Sequence, residues 1–117
     1  MSSKIPTVVL LCLTGLAAQA HTRLVESTPA DAAVVVAPAE IVLSFSEAVT
    51  LTAVSVSPES ASVGAGHQDL RLPAERTSEA FSLEAPSLEP GEYVVSWRAV
   101  GADTHVVTGE FRFTVSA

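Results

Sequence analysis

The chain has 117 residues, 48% of them hydrophobic, with a formal net charge of −7 at pH 7, one cysteine and one methionine. An acidic balance of this kind argues against nucleic acid and anionic membranes as partners, and it is compatible with binding of a cation. The apolar run near the start is shorter than the roughly 20 residues that a membrane span needs, so we expect no membrane insertion.

Residues 1–20 are predicted to be a secretory signal peptide. Lys4 supplies the positive charge, an apolar run begins at Val8, and residues 18–20 (Ala-Gln-Ala) form a small-x-small cleavage site. Cleavage there would make His21 the first residue of an exported, periplasmic domain. Residues 21–117 are long enough for one domain with one modest hydrophobic core.

The exported domain is expected to contain neither cysteine nor methionine, because Cys12 and Met1 both lie in the signal. This excludes disulfides, thiolate metal sites and soft thioether ligands from residues 21–117. A lipid anchor on Cys12 is the alternative interpretation, but Leu11 stands before it where a small residue is required.

Alternation of apolar and polar residues predicts an all-β domain. In chain order the predicted strands are Thr22–Glu26, Ile41–Ser46, Val49–Val56, Gln68–Leu72, Ala80–Leu83, Tyr93–Val100 and Phe111–Ser116. Frequent prolines limit helix to at most one turn around Ala30–Ala33. Trp97 shares the apolar face of its strand with Tyr93 and Val95, which favours a core position. About seven strands at this spacing are typical of a Greek-key β-barrel or an immunoglobulin-like β-sandwich.

A histidine freed by signal cleavage is a strong metal-binding signal. The new α-amine of His21 and its ring Nδ1 can chelate one metal ion together, an arrangement called a histidine brace. Metal binding itself favours the deprotonated amine that this chelate needs. A histidine at this position without a partner would be incidental about as often as functional.

A second candidate is the segment Asp103-Thr104-His105. If the segment is extended, Asp103 and His105 point to the same side, because side chains two apart on a strand share a face. With two nitrogens from His21 they would complete a set of three nitrogens and one oxygen, which suits tetragonal Cu(II) better than tetrahedral Zn(II). Alone, such a pair is more often incidental, and its co-occurrence with His21 is what favours copper.

These features resemble the CopC family of periplasmic copper-binding and copper-resistance proteins. After His21, the matching segments are Leu24-Val25-Glu26-Ser27-Thr28-Pro29-Ala30, Leu43-Ser44-Phe45-Ser46-Glu47, Tyr93-Val94-Val95-Ser96-Trp97-Arg98, Asp103-Thr104-His105 and Gly109-Glu110-Phe111-Arg112-Phe113. The resemblance implies a seven-stranded Greek-key fold and one Cu(II) held by His21, Asp103 and His105. It also implies that Glu47 lies near the copper and supports the amine. For Thr104 we predict a supporting hydrogen bond beside the ligands.

The resemblance also separates two kinds of copper site. Some members carry a Cu(I) site in a methionine-rich loop, but residues 58–72 here contain no methionine. His67 lies in that loop, and we interpret it as a solvated residue rather than a ligand. The chain is therefore predicted to bind Cu(II) alone.

The function predicted from the sequence is copper buffering or carriage in copper resistance and homeostasis, by a monomer without enzymatic activity. The resemblance implies delivery to a CopD-like copper transporter of the inner membrane. Detoxification, storage and import would all use the same ligands. One alternative is an oxidative enzyme, because lytic polysaccharide monooxygenases use the same brace. The other is a metal-free structural sandwich in which both histidines are incidental.

Overall fold

The computed structural model describes residues 22–60 and 66–117. Within these ranges the chain forms seven strands and no helix, which confirms the predicted all-β fold. The strands are β1 (Leu24–Thr28), β2 (Ala33–Val35), β3 (Glu40–Pro58), β4 (Gln68–Asp69), β5 (Thr77–Glu84), β6 (Gly91–Gly101) and β7 (Val106–Val115). The predicted signal peptide and His21 lie outside the described residues.

The strands form one curled mixed sheet with the order β1-β3-β6-β7-β2, and β4 and β5 also pair with β3. All pairs are antiparallel except β2 with β7. The short parallel strand β2 was not predicted. The sequence allowed at most one helical turn around Ala30–Ala33, and the structure has none there: residues 31 and 32 form a turn that leads directly into β2.

Strand β3 is one continuous element where the sequence predicted two. Its first part, Glu40–Ser44, pairs with β1 and β5, and its later part from Val49 onward pairs mainly with β6. Register shifts occur between Ser44 and Val49 against β5 and between Leu51 and Ala53 against β6. Such bulges bend a strand without ending it, which lets β3 run from one side of the core to the other.

The core lies between the two sides of the curled sheet and is built from alternate residues of the long strands. Its members are Ile41, Leu43, Phe45, Val49, Leu51, Val54, Val56, Leu70, Phe81, Leu83, Leu88, Tyr93, Val95, Trp97, Ala99, Phe111, Phe113 and Val115. The indole of Trp97 packs edge to face on Phe45 with 5.0 Å between ring centroids. This confirms the predicted core position of Trp97.

The start of the described chain and the turn between β6 and β7 are both tied to the bend of β3. Leu24 pairs with Phe45, and just before it the Arg23 N–H donates to Ser46 Oγ (3.1 Å) while the Ser46 N–H donates to the Arg23 carbonyl (2.9 Å). Gly101, at the end of β6, pairs with Val49. The bend therefore brings the beginning of the domain towards the segment that contains Asp103 and His105.

Candidate metal centre

The segment from Gly101 to His105 is a tight turn and not extended, so the condition under which the sequence puts Asp103 and His105 on one side is not met. The Thr104 N–H donates to the Gly101 carbonyl and the Gly101 N–H donates to the His105 carbonyl, both at 2.9 Å. Thr104 has a φ of 67°. This left-handed conformation is rare for a β-branched residue, and the backbone bonds on either side hold it in place.

The turn still brings Asp103 and His105 together. The His105 ring nitrogen Nδ1 lies 2.9 Å from Asp103 Oδ2, and the His105 backbone N–H donates to Oδ1 at 3.0 Å. Both side chains face solvent, with 80% of His105 and 68% of Asp103 exposed. When Nδ1–H donates to the carboxylate, the lone pair of Nε2 is the one that His105 offers to a metal.

The two groups stabilise each other's charged forms. The pKa of the Asp103 carboxyl lies below its ordinary value, first because it accepts the side-chain hydrogen bond of His105 and then because it accepts the backbone bond. The pKa of the His105 imidazole is raised, first by its hydrogen bond to Asp103 and then by the negative charge of that residue. A metal at His105 must therefore displace a proton that Asp103 helps to hold.

The first described residue, Thr22, lies at the same turn. A Cβ atom added to Gly101 would lie 3.2 Å from Thr22 Oγ1 and 3.2 Å from Asp103 Oδ1, so the two oxygens approach the same point. Thr22, Asp103 and His105 line one shallow depression, which the side chains of Val106 and Val107 complete. Chain segments from the two ends of the domain thus meet at one place.

The structure also locates the two supporting residues that the sequence analysis named. Glu47 is half-buried in the bend of β3, between Ser46, which bonds to Arg23, and Val49, which pairs with Gly101. It therefore lies on the segment that borders both halves of the candidate site. The Thr104 hydroxyl donates to the Asp103 carbonyl at 2.5 Å, so its bond goes to the backbone of the turn.

A family model described as the CopC domain matches residues 24–116. This chain belongs to the CopC family. Among curated proteins, copper resistance protein C of Pseudomonas syringae pv. tomato is 38% identical in an alignment of 104 positions that covers 84% of this chain and 82% of the relative. Protein YobA of Escherichia coli (strain K12) is 35% identical in an alignment of 102 positions that covers 82% of this chain and 79% of the relative.

Solved CopC-type structures share the fold. CopC from Methylosinus trichosporium OB3b has a TM-score of 0.64 and 28% identity, over 82% of this chain and 94% of its own. The copper resistance protein PcoC from E. coli has a TM-score of 0.61 and 31% identity, over 83% and 100% of the two chains. The resemblance drawn from the sequence is confirmed, and membership in the CopC family supports a copper-related function with copper as the ligand.

This CopC chain differs from PcoC in one respect that bears on its copper chemistry. PcoC is described as methionine-rich. Here the single methionine is Met1 and the single cysteine is Cys12. Every donor that residues 21–117 can offer is therefore nitrogen or oxygen, the set that Cu(II) accepts and Cu(I) disfavours.

In the part of the chain that the structure describes, no group of three or more His, Cys, Asp or Glu side chains is close enough to hold a metal. Asp103 and His105 are two side chains of these types, and a complete metal site would need further donors from another part of the chain. The same described ranges contain no helix with the length and hydropathy to span a membrane.

The structure shows one further histidine and aspartate pair that the sequence analysis missed. His67 Nε2 donates to Asp69 Oδ1 at 2.9 Å, and His67 is 46% exposed. The His-x-Asp spacing of this pair is the reverse of the Asp-x-His spacing of Asp103 and His105. This spacing was the signal in the sequence that could have revealed the pair.

Proposed function

We propose that this CopC protein is exported to the periplasm, is cleaved after Ala20, and holds one Cu(II) ion. The α-amine and Nδ1 of His21 supply two ligands, and Asp103 and His105 supply the others. The protein acts in copper resistance as a buffer or carrier, with residues 21–117 as its copper-binding domain.

The position of Thr22 at the Asp103–His105 turn is the observation that carries this proposal. His21 is joined to Thr22 by one peptide bond, and consecutive Cα atoms are about 3.8 Å apart. An amine and an imidazole attached at that point have the reach to meet the exposed pair. Glu47, on the bend beside this segment, would attract the amine by its negative charge.

The donor set fits cupric ion. Imidazole and amine nitrogens with one carboxylate oxygen favour Cu(II) over the other common divalent ions, by ligand type and by the Irving–Williams order. His105 would bind through Nε2, because Nδ1 is engaged by Asp103. A metal on Nε2 lies across the ring from the carboxylate that Nδ1 contacts, so Asp103 would have to leave Nδ1 in order to bind the same ion through its own lone pairs.

The exposure of the pair suits a protein that exchanges its metal. An ion bound at Asp103 and His105 would be reachable from solvent and from a docked partner, such as a CopD-like transporter of the inner membrane. We assign the protein no catalytic role, because a charged carboxylate in a chelating ligand set disfavours the open coordination positions that oxygen activation requires.

The decisive experiment removes the brace in two ways. His21→Ala removes the imidazole, and acetylation of the His21 α-amine keeps every side chain but removes the amine as a ligand. We expect each change to weaken Cu(II) binding at least tenfold, about 1.4 kcal/mol. Both should also reduce the number of nitrogen couplings in the electron paramagnetic resonance spectrum.

Mass spectrometry of the intact proteins confirms the N-terminus in each case, and circular dichroism confirms the fold. The brace is wrong if both variants bind Cu(II) within twofold of the protein that begins at His21.

A further inference from the structure

The hydroxyl of Thr22 and the carboxylate of Asp103 both border the space above Gly101, which carries no side chain. Each oxygen lies 3.2 Å from the place that a Cβ of residue 101 would take. Gly101 is buried, and it is not among the glycines with positive φ. Glycine is therefore needed here for the space that a side chain would fill, and not for its backbone conformation. That space lets Thr22 approach the Asp103 side of the turn.

Asp103 has unused hydrogen-bonding capacity on that side. Its two contacts, at Oδ1 and Oδ2, both come from His105. A carboxylate has about four lone-pair positions, so each oxygen can accept another bond. Of the described residues lining the depression, Thr22 carries the only hydroxyl, and Val106 and Val107 contribute apolar side chains.

We propose that Thr22 is a positioning residue of the copper site, whose hydroxyl donates a hydrogen bond to Asp103 Oδ1. A carboxylate that keeps a hydrogen bond from Thr22 when it turns from His105 to a metal has fewer orientations to lose, so the ligating arrangement is favoured. This inference rests on the proposed function, because it assigns a role at the same Cu(II) site. It also makes the residue after His21 chemically significant beyond its place in the chain.

The first test compares three variants of the protein that begins at His21. Thr22→Ala and Thr22→Val remove the hydroxyl, and Val keeps the branched shape, whereas Thr22→Ser keeps the hydroxyl. Loss of a hydrogen bond that orients a ligand weakens metal binding about tenfold. We expect that loss for Ala and Val and a change within twofold for Ser, measured by competition with a Cu(II) chelator.

Two further measurements separate positioning from a structural role. The g and hyperfine values of the Cu(II) resonance should shift in Thr22→Ala and Thr22→Val and return in Thr22→Ser. The unfolding midpoint of the metal-free protein should stay the same in all three. Unchanged affinity and resonance in both Ala and Val would overturn the inference.

The second test moves the hydroxyl from residue 22 to residue 101. In Thr22→Ala with Gly101→Ser, the new side chain occupies the vacated space and brings a hydroxyl next to Asp103. In the matched control, Thr22→Ala with Gly101→Ala, the space is filled without a hydroxyl. We expect the serine double variant to bind Cu(II) at least threefold more tightly than the alanine one, by analogy with the value of a hydrogen bond to a charged group.

Equal affinities in the two double variants would overturn the role of Thr22. If His21→Ala still weakens binding at least tenfold while Thr22→Ala does not, the proposed function stands and only the inference about Thr22 fails. If the unmodified protein does not bind Cu(II), both fail together.

Discussion

Two histidine and aspartate pairs on this domain have nearly the same internal geometry and very different surroundings. In each pair the residues are two apart, and a ring nitrogen lies 2.9 Å from a carboxylate oxygen. Asp103 and His105 lie in a turn fixed by backbone bonds, and the chain beginning at Thr22 reaches that turn. His67 and Asp69 lie at the two-residue strand β4.

The surroundings differ in charge and in the ring nitrogen that is used. Asp69 lines a depression together with Arg71 and Glu84, one side chain of each charge. His67 uses Nε2 for its aspartate, whereas His105 uses Nδ1. A histidine and an aspartate in contact are therefore not sufficient for a metal centre, and what matters is which further donors the fold brings to them.

The largest expected contrast between the pairs is in copper affinity. His105→Ala removes a nitrogen ligand of the proposed site, whereas His67→Ala removes a side chain that lies outside it. We expect Cu(II) affinity to fall about a hundredfold, about 2.7 kcal/mol, in the first variant. It should change less than twofold in the second, and competition titration with a chelator measures both. Equal losses would mean that the two pairs contribute alike and would contradict the assignment of the site.

A smaller contrast concerns the residue between the two members of each pair. Substitution by glycine should raise the free energy of unfolding at Thr104 and lower it at Gln68. Thr104 is held at a φ of 67°, and relief of such strain stabilises by about 1 kcal/mol after allowance for the entropy of glycine. Gln68 is in β4 and pairs with Val56, so Gln68→Gly should cost roughly 0.5–1 kcal/mol.

Urea unfolding of the metal-free protein measures both changes in the free energy of unfolding. If Thr104→Gly lowers that free energy, the threonine hydroxyl bond to the Asp103 carbonyl contributes more than the strain costs.

The smallest expected effect is on the titration of His105 in the metal-free protein. Asp103 raises the pKa of His105, so in nuclear magnetic resonance the imidazole should titrate above its ordinary value of 6.5. The stability from this pair is complete below that ordinary value and is lost as pH rises through the raised one. Asp103→Asn should lower the midpoint towards 6.5, and Asp69→Asn, as the control, should leave it unchanged. If Asp103→Asn leaves the titration midpoint of His105 unchanged, the two side chains are not hydrogen-bonded in solution.

Much of the fold follows from the period-two pattern. Segments such as Phe111–Ser116 and Tyr93–Val100 can be read as strands because one face must be buried, and burial forces alternation. The same pattern identifies Trp97 as a core residue. It fails for β2, because a three-residue edge strand that pairs in parallel with β7 has too few positions to show a period. It also fails to join the two parts of β3, because bulges interrupt the alternation while the strand continues.

The candidate site, like the fold, could be predicted from the sequence only in part. The residue types alone indicate which donors Asp103 and His105 offer and exclude soft ligands from residues 21–117. The extended conformation, which was the condition for Asp103 and His105 to share a side, is not found there, and nothing in a single threonine indicates a left-handed φ. The roles of His21 and Glu47 stay predictions.

By itself the sequence determined the all-β class, the core faces of the main strands, the family resemblance and the nature of the available donors. These are local properties, fixed by side-chain chemistry and by the alternation that a half-buried strand requires. Only the tertiary structure decided that Thr22 and Asp103 both border Gly101, while His67 and Asp69 are joined elsewhere. Such meetings depend on how β3 bends between the two sides of the core, and a contact between distant parts of the chain leaves no periodic signal in either part.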